Sequence, residues 1–341
     1  MVIYFYLMSK TSELKEFLIH KDRTSDRVLF HPILMQLAAQ LNHNTYEEFM
    51  TDYRVLVEAN VKCLEIMGHD AVGLISDPFR ETSAFGGKVR FSGNNNPVCE
   101  PIISDIHDLE HLKNPDVYKS ERTSDRINAA KYYKKILGDE VPVIGWIEGP
   151  LAEAADLAGV NNILLSILME PDFVRRLMEI CVITAKEFAY AQVEAGCLVI
   201  GIGDALCSQI DPETYISYIL PLHQQIIDFV HSQGAFIKLH ICGNITQLLP
   251  HLALTGTDIL DLDWMVDFET ARKQCGDEII LCGNLDPVSC IKEQTPEKIS
   301  ECSRKLMNDQ KGTRFILSGG CEIPRDTALE NIMAMKTPLN M

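Results

Sequence analysis

The sequence predicts a single-domain (β/α)8 TIM barrel of the α/β class. Eight short apolar runs rich in Val and Ile alternate with longer amphipathic stretches along the 341 residues. Nearly continuous apolar runs are typical of parallel strands that are covered on both faces, and eight such alternations favour a barrel. An open doubly wound sheet is the alternative. It is disfavoured because no Gly-x-Gly-x-x-Gly follows the first strand and no phosphate-loop motif is present.

The eight predicted strands are residues 27–32, 70–76, 141–147, 197–203, 235–240, 257–262, 278–283 and 313–318. Between strands two and three lies a polar stretch, residues 77–140, which we predict to be an insertion over the barrel mouth. No change in composition indicates a linker, so residues 1–341 are expected to form one domain. Within it, residues 1–20 are expected to be a poorly defined N-terminal segment, a frayed leader or an alternative start ahead of Met8, since the basic n-region of a signal peptide is absent.

Helical patterns cover residues 45–68, 171–196 and 211–234. Gly68 is suited to end the first of these helices in a left-handed conformation. Asp211 is a candidate N-cap for the third, and its internal Pro221 predicts a kink or a break, because proline cannot donate the backbone hydrogen bond of a helix interior.

Acidic residues outnumber basic ones, with 48 Asp and Glu against 31 Lys and Arg, for a net charge of −17. This balance opposes non-specific binding to nucleic acid or to anionic membranes. No apolar run approaches the roughly 18 residues of a membrane span. The eleven cysteines are scattered, as in a reduced cytosolic protein, and do not resemble a disulfide framework. We therefore expect a cytoplasmic protein with no nucleic-acid or membrane partner.

His240, Cys242 and Cys321 form the strongest candidate site. His240 and Cys242 follow the fifth predicted strand in KLHICGN, and Cys321 follows the eighth in LSGGCEIP. One imidazole and two thiolates suit Zn²⁺, and three protein ligands leave a fourth position open for chemistry. Because functional residues of barrels follow the carboxyl ends of the strands, the three are expected to meet at one rim.

Polar residues follow the other predicted strands and their loops. We predict catalytic roles for Asp77, Glu148 and Asp204 and substrate contacts for Asn244, Asn284 and Asp286. Glu148 is followed by Gly-Pro, which makes it an unnatural helix cap, so it is a candidate for a displaceable fourth metal ligand or a proton acceptor. Asp77 and Asp204 fit equally well as caps of the following helices. Asn284 and Asp286 fit equally well as residues that shape the turn before Pro287.

Several segments resemble the uroporphyrinogen decarboxylase superfamily and, within it, the methylcobamide:coenzyme M methyltransferase branch. They are DAVGLISDP, GDEVPVIGWIEGP, QVEAG with IGIGDA, LHICGN, GDEIILCGNLDPV and FILSGGCEIPRDTALENIMAM, and they span about residues 70 to 336. The resemblance implies a barrel with a Zn²⁺ site at His240, Cys242 and Cys321, and Glu148 matches the exchangeable position. It further implies that a small thiol accepts a methyl group from a corrinoid (methylcobamide) co-substrate. A carrier protein would present the corrinoid, since no Asp-x-His-x-x-Gly motif is present, and a homodimer is expected.

Two other functions are compatible with parts of the sequence. Asp77 matches the aspartate with which the decarboxylase binds the pyrrole nitrogens of its substrate. However, no arginine occurs between Arg27 and Arg54, although a substrate with eight carboxylates needs basic partners, and the decarboxylase needs no metal. The second alternative is a non-catalytic zinc-binding barrel.

Overall fold

Residues 9–22 and 27–340 are described by a computed structural model. The strands are β1 (Leu29–Phe30), β2 (Val72–Gly73), β3 (Val89–Arg90), β4 (Val98–Cys99), β5 (Val143–Glu148), β6 (Val199–Gly203), β7 (Phe236–His240), β8 (Ile259–Asp261), β9 (Ile280–Leu285) and β10 (Phe315–Gly319). Eight of them form one parallel sheet in the order β1-β10-β9-β8-β7-β6-β5-β2. This is the strand succession of a (β/α)8 barrel, so the predicted fold class is confirmed.

The α-helices are α1 (Lys10–Ile19), α2 (Gln36–Leu41), α3 (Tyr46–Thr51), α4 (Tyr53–Met67), α5 (Arg80–Ala84), α6 (Glu121–Leu137), α7 (Pro150–Ala158), α8 (Val160–Met169), α9 (Pro171–Glu194), α10 (Pro212–Thr214), α11 (Leu220–Ser232), α12 (Leu249–Leu252), α13 (Phe268–Cys275), α14 (Pro296–Asp309) and α15 (Leu329–Lys336). Turns of 3₁₀-helix cover Asp108–Glu110, Ala205–Gln209, Thr246–Leu248 and Thr337–Asn340. Two segments, Tyr215–Ile219 and Pro287–Lys292, are π-helical.

The predicted insertion lies between β2 and β5. It contains α5, the antiparallel hairpin of β3 and β4, and α6. The hairpin is joined to α3 by the hydrogen bond that the Glu47 N–H donates to the Gly93 carbonyl at 2.8 Å. The Ile102 N–H donates to the Leu157 carbonyl of α7 at 2.8 Å. These bonds fasten the insertion to two helices of the barrel.

The predicted helix over residues 45–68 is in fact two helices. Asp52 separates α3 from α4 because its backbone is extended (φ −126°, ψ 115°), and its carboxylate accepts a hydrogen bond from the Arg54 N–H. Asp52 therefore caps a new helix. Gly68 ends α4 in the left-handed conformation (φ 63°), as predicted.

The interruption predicted at Pro221 is present. The π-helical turn Tyr215–Ile219 comes immediately before α11, whose first turn contains Pro221. A π-helical turn takes up the mismatch left by a missing N–H donor. Asp211 is the N-cap, as expected, because its carboxylate accepts hydrogen bonds from the backbone of Glu213 and Thr214.

Helix α1 packs against the amino-terminal end of the barrel. Leu14, Phe17 and Leu18 contribute to one apolar cluster with Leu29, Ala71, Ile144, Val199, Ile259, Ile280, Cys282 and Ile316. Residues 10–19 are thus a defined helix, contrary to the expectation for residues 1–20, because their apolar positions fall on one helical face. Residues 1–8, and with them the predicted leader or alternative start, lie outside the described residues.

The two edge strands, β1 and β2, are joined through Asp70. Its N–H donates to the Phe30 carbonyl at 2.8 Å, and its carboxylate accepts the Phe30 N–H at 2.7 Å. The same carboxylate is paired with Arg27 at 2.7 Å. Burial alone would raise the pKa of Asp70, but Arg27 and the Phe30 N–H lower it below its usual value. A single ionised residue therefore closes the barrel wall between its first and second strands.

All eleven cysteines lie among the described residues and are free thiols. In the same part of the chain, no single helix combines the length and apolar composition needed to cross a membrane. Helices α7 and α8 meet both conditions only when taken together, and the pair is bent by 109°.

Candidate metal centre

Strand β7 delivers His240 to the rim of the barrel. Side chains alternate across a strand, so Lys238 and His240 lie on the same face of β7. Both are buried. The strand ends at His240, and the chain turns at Cys242 and Gly243, where Gly243 adopts φ +95°. Cys242 is partly exposed, as expected for a residue that opens toward the barrel mouth.

Cys321 meets this turn from the other side. The Cys242 Sγ lies 3.0 Å from the His240 Nε2 and 3.5 Å from the Cys321 Sγ, and the Cys321 Sγ lies 3.8 Å from the His240 Nε2. A tetrahedral zinc ion at its usual bond lengths separates such ligand atoms by about 3.5 to 3.8 Å. Two of the three distances match this range, and the distance from the Cys242 Sγ to the His240 Nε2 needs to widen by about 0.5 Å. The donor set and its geometry therefore fit zinc.

The three groups share their protons unequally. Hydrogen bonds from Cys242 and His240 lower the pKa of Cys321 to about 4, although burial opposes the shift. The hydrogen bond to Cys321, together with burial, raises the pKa of Cys242. Burial disfavours a charged His240, but the neighbouring sulfur atoms and Asp261 raise its pKa well above the usual value. The arrangement therefore favours negative charge on the sulfur atoms of the trio, and a metal would displace the remaining protons.

Two close backbone contacts hold the ligand loops together. A Cβ at Gly320 would lie 2.3 Å from the backbone nitrogen of Trp264, so the loop carrying Cys321 can approach only because residue 320 is glycine. The carboxylate of Asp263 accepts the Gly243 N–H at 2.6 Å and ties the loop of Cys242 to the same place. The segment after β8 therefore joins both ligand loops.

Asp261 lies beside the metal ligands and was not among the predicted site residues. Its Oδ2 is 3.4 Å from the His240 Nδ1, and its Oδ1 is 3.1 Å from the Lys238 Nζ. Burial would raise the pKa of Asp261, but Lys238 and His240 together hold it below the usual range. The signal that could have found it is an aspartate at an inward position of a strand, where apolar residues normally fill the barrel.

Glu148 lies at the level of the metal ligands but outside their triangle. The strand register aligns it with Gly203 and, one strand further, with His240, which corresponds to about 10 Å between the Cα atoms of Glu148 and His240. Its carboxylate instead accepts a hydrogen bond from Arg80 Nη2 at 2.6 Å. Burial raises the pKa of Glu148 well above its usual value, although Arg80 opposes the shift. In the present arrangement one of its two carboxylate oxygens is therefore bound to Arg80 and not to the metal ligands.

Asp77 is enclosed by its partners. Its carboxylate is paired with Arg122 at 2.5 Å, accepts the Phe79 N–H at 3.1 Å, and has no exposed side-chain surface. Burial would raise the pKa of Asp77, but Arg122 and Arg80 hold it below its usual value. Asp77 accepts a backbone hydrogen bond in the turn before α5. This role is close to the helix-capping alternative that the sequence left open.

Asp204 caps a helix, although not the helix that follows its own strand. Its carboxylate accepts the Ala152 N–H of α7 at 2.7 Å and contacts the His223 Nε2 at 2.9 Å. A Cβ at Gly149 would lie 2.4 Å from the Asp204 Cβ, so the two strand ends are in close contact. With Cys207, Asp204 and His223 form a second group whose donor atoms lie within 4.8 Å of one another. Because Asp204 is fully buried and already bonded, the geometry does not support the predicted catalytic role.

The predicted substrate-binding residues make hydrogen bonds within their own turns or to a neighbouring loop. Asn244 is exposed and accepts the Thr246 N–H. The side-chain amide of Asn284 donates to the carbonyls of Asp263 and Val266. Asp286 accepts the N–H groups of Val288 and Ser289 at the start of the π-helical segment. For Asp286 this geometry matches the turn-shaping alternative. Asn284 instead joins its own strand end to the loop after β8.

The family model described as uroporphyrinogen decarboxylase (URO-D) matches residues 19–337. The chain belongs to the uroporphyrinogen decarboxylase family. It is 30% identical over 274 residues to the methylcobamide:CoM methyltransferase MtbA of Methanosarcina mazei, with 79% of each chain covered. It is also 30% identical over 270 residues to a uroporphyrinogen decarboxylase of Prochlorococcus marinus, with 77% of each covered. The predicted resemblance is confirmed.

Among solved structures, a methyltransferase from Methanosarcina mazei superimposes with a TM-score of 0.88 at 22% identity, covering 98% of both chains. A B12-independent methionine synthase from Shewanella superimposes with a TM-score of 0.63 at 13% identity, covering 86% and 88% of the two chains. At these identities the likeness establishes the fold. Because family members with two different activities are equally identical to this chain, the choice between them depends on the residues of the site.

Proposed function

We propose that this protein is a zinc-dependent methyltransferase that moves a methyl group between a methylated corrinoid, presented by a carrier protein, and a small thiol or similar acceptor. The observation that carries the proposal is the triangle of His240, Cys242 and Cys321, whose donor atoms lie 3.0 to 3.8 Å apart. Similarity to methylcobamide:CoM methyltransferases over 79% of the chain supports the same activity.

The chain's own residues would perform two tasks, holding the metal and lining the space beside it. His240 Nε2 and the two sulfur atoms hold the metal and leave one position open. When bound there, zinc lowers the pKa of a coordinated thiol, so that the acceptor is a nucleophilic thiolate at neutral pH. The indole of Trp146, whose ring centre lies 6.2 Å from that of His240, forms an apolar wall next to the ligand. Methyl transfer to the acceptor would form a carbon–sulfur bond and break the methyl–cobalt bond of the corrinoid substrate, which would keep the electron pair.

Glu148 is our candidate for the displaceable fourth ligand or for the acceptor of the thiol proton. It lies at the level of His240, two strands away. The guanidinium of Arg80 holds its carboxylate in the present arrangement. If the Glu148 carboxylate turned from Arg80 toward the metal, it would occupy the open position until the acceptor binds.

The decarboxylase alternative is less well supported by this geometry. The aspartate that would bind the pyrrole nitrogens of a tetrapyrrole is Asp77, and its side chain is completely enclosed by Arg122 and its own turn. Decarboxylation without metal would also give His240, Cys242 and Cys321 no task. The arrangement therefore favours methyl transfer.

The setting that we propose is cytoplasmic, since eleven free cysteines suit a reducing compartment. The acidic chain, with a net charge of −17, would act with a corrinoid carrier protein and a small acceptor, without a nucleic-acid partner. A homodimer is the proposed assembly. Sedimentation of the purified protein would establish it.

Metal analysis combined with two activity assays tests the function. We expect one zinc ion per chain and demethylation of methylcobalamin in the presence of some members of a panel of small thiols, with no turnover of uroporphyrinogen. Zinc without reaction toward any thiol would favour the non-catalytic zinc-binding barrel. A protein that neither contained zinc nor could be reconstituted with it would refute the proposal.

A further inference from the structure

A row of buried polar groups continues from the metal centre into the barrel. Asp261 bridges His240 and Lys238, at 3.4 Å and 3.1 Å respectively. The Lys238 Nζ also donates to the His31 Nδ1 at 3.0 Å. Lys238 is 1% exposed and Asp261 3%. Four polar side chains therefore occupy part of the barrel interior, above the apolar cluster at its amino-terminal end.

This ion pair is not explained by fold stability. Removing a carboxylate and an ammonium group from water carries a large desolvation penalty, and well-packed apolar residues of similar volume are often as stabilising or more so. The buried pair therefore points to a role at the side chain that it contacts. Strand β8 aligns Asp261 with His240, so its carboxylate faces the imidazole of a metal ligand.

The contact between Asp261 and His240 brings together one atom of each side chain that is left over by its other contacts. In the described part of the chain, the His240 Nδ1 and the Asp261 Oδ2 are both buried and neither makes a standard hydrogen bond. An imidazole that binds a metal through Nε2 carries its proton on Nδ1 and needs an acceptor there. The Asp261 Oδ2 is 3.4 Å away, so a small rotation of the ring brings it to hydrogen-bond distance.

Lys238 keeps the carboxylate in this place. Its ammonium group binds the other oxygen, Oδ1, and leaves Oδ2 toward the ring. On its far side the ammonium group is fixed by His31, whose Nδ1 accepts a hydrogen bond. Since Lys238 and His240 are on the same strand, the lysine, the carboxylate and the ligand form a rigid unit.

We propose that Asp261 is the positioning residue of the metal ligand His240 and that Lys238 holds Asp261 for this task. The inference rests on the proposed function, because it assigns a purpose to Asp261 only if His240 binds a metal. Through the Nδ1–H bond, Asp261 would select the tautomer with a free Nε2 and aim that atom at the position between the two sulfur atoms.

The test compares zinc affinities of the full chain by competition with a chromophoric chelator. The main variant is Lys238→Met/Asp261→Leu, which removes both buried charges together, so that neither is left unpaired. In Lys238→Met/Asp261→Asn the amide oxygen can still accept the Nδ1–H bond. The matched control is Asp258→Asn. It disrupts another Asp–His pair, the 2.8 Å contact between Asp258 and His231, which does not involve the metal ligands.

We expect zinc affinity to fall by about 10- to 100-fold in the leucine variant, as for other residues that orient metal ligands. The asparagine variant should recover part of this loss, and Asp258→Asn should bind zinc like the wild type. Cobalt(II) substituted for zinc should show shifted absorption bands in the leucine variant, because the orientation of His240 changes. Circular dichroism of the zinc-free proteins would establish that each is folded.

Wild-type affinity in a folded leucine variant would overturn the inference while leaving the proposed function intact. Should the leucine variant fail to fold, the asparagine variant decides in the same way, since we expect its affinity to be several-fold weaker than that of the wild type. If the wild type itself binds no zinc, both the proposed function and this inference fail.

Discussion

The sulfur atoms of Cys242 and Cys321 lie 3.5 Å apart although 79 positions separate the two residues in the chain. They follow β7 and β10, and β8 and β9 lie between those strands. At about 4.8 Å per strand, the strand ends themselves are roughly 14 Å apart. The sulfur atoms meet because both loops turn inward across the mouth. There they are held by the segment of Asp263 and Trp264.

Replacing either sulfur atom should abolish stoichiometric zinc binding. Cys242→Ser and Cys321→Ser each remove one of three protein ligands, and we expect zinc affinity to fall by more than about 100-fold, beyond the usual effect of an outer-shell residue. Metal content and chelator competition measure the effect. Cys99→Ser is the control, since Cys99 is a partly exposed thiol in the hairpin β3–β4. Full zinc retention by Cys321→Ser would contradict the assignment.

Glu148→Gln should separate zinc binding from methyl transfer. Three ligands remain, so we expect zinc at one ion per chain, while methylcobalamin demethylation decreases by about 100-fold or more if the carboxylate accepts the thiol proton. The matched control is Glu153→Gln, another buried carboxyl, which accepts a hydrogen bond from Thr82 away from the metal ligands. A variant with unchanged turnover would show that Glu148 has no part in the reaction.

Gly320→Ala should weaken both the fold and the metal site. The new Cβ would meet the Trp264 backbone nitrogen at 2.3 Å, and backbone atoms cannot rotate away. Overpacking of this kind lowers the free energy of unfolding by about 1–3 kcal/mol, and displacement of Cys321 should lower zinc affinity as well. Urea unfolding provides the measurement. In the control Gly73→Ala the nearest atom would be at 3.9 Å, and equal losses in the two variants would speak against a close contact at Gly320.

His231 should make stability depend on pH. The hydrogen bond to Asp258 raises the pKa of His231, and burial only partly offsets it. Because the pKa of His231 is higher in the folded than in the unfolded state, the pair stabilises the fold fully below the unfolded-state pKa of about 6.5. This stabilisation is lost as the pH rises through the pKa of the folded state. The difference in unfolding free energy between wild type and His231→Gln, about 1 kcal/mol or less for a partly exposed pair, should therefore be larger at pH 5.5 than at pH 9. A difference that grew with pH would have the wrong sign.

The barrel and the ligand trio could be predicted from the sequence for the same reason. Apolar runs reveal parallel strands directly, and a barrel brings all strand ends to one rim, so the strand positions alone predict that His240, Cys242 and Cys321 meet. The break at Asp52 could not be predicted in this way. The apolar pattern runs through it, and only the extended backbone of Asp52 separates α3 from α4.

Partnerships between distant polar residues were also beyond the sequence. Glu148 and Asp204 both follow strands, but one is held by Arg80, 68 positions away, and the other caps α7. The local sequence around each residue does not indicate whether its carboxylate binds another side chain, a helix end, a substrate or a metal. Asp261 was not predicted because the candidate carboxylates follow their strands, whereas Asp261 belongs to β8 and faces His240.

The closure at Asp70 determines where the barrel opens locally most easily. Two hydrogen bonds from one residue join β1 to β2, whereas the strands from β5 to β10 are joined by continuous ladders. Local opening requires the least free energy where the fewest bonds are broken. We therefore expect amide protons near this seam to exchange with solvent before those of β7 to β9. The molecule could then open on one side without changing the register of the strand that carries His240.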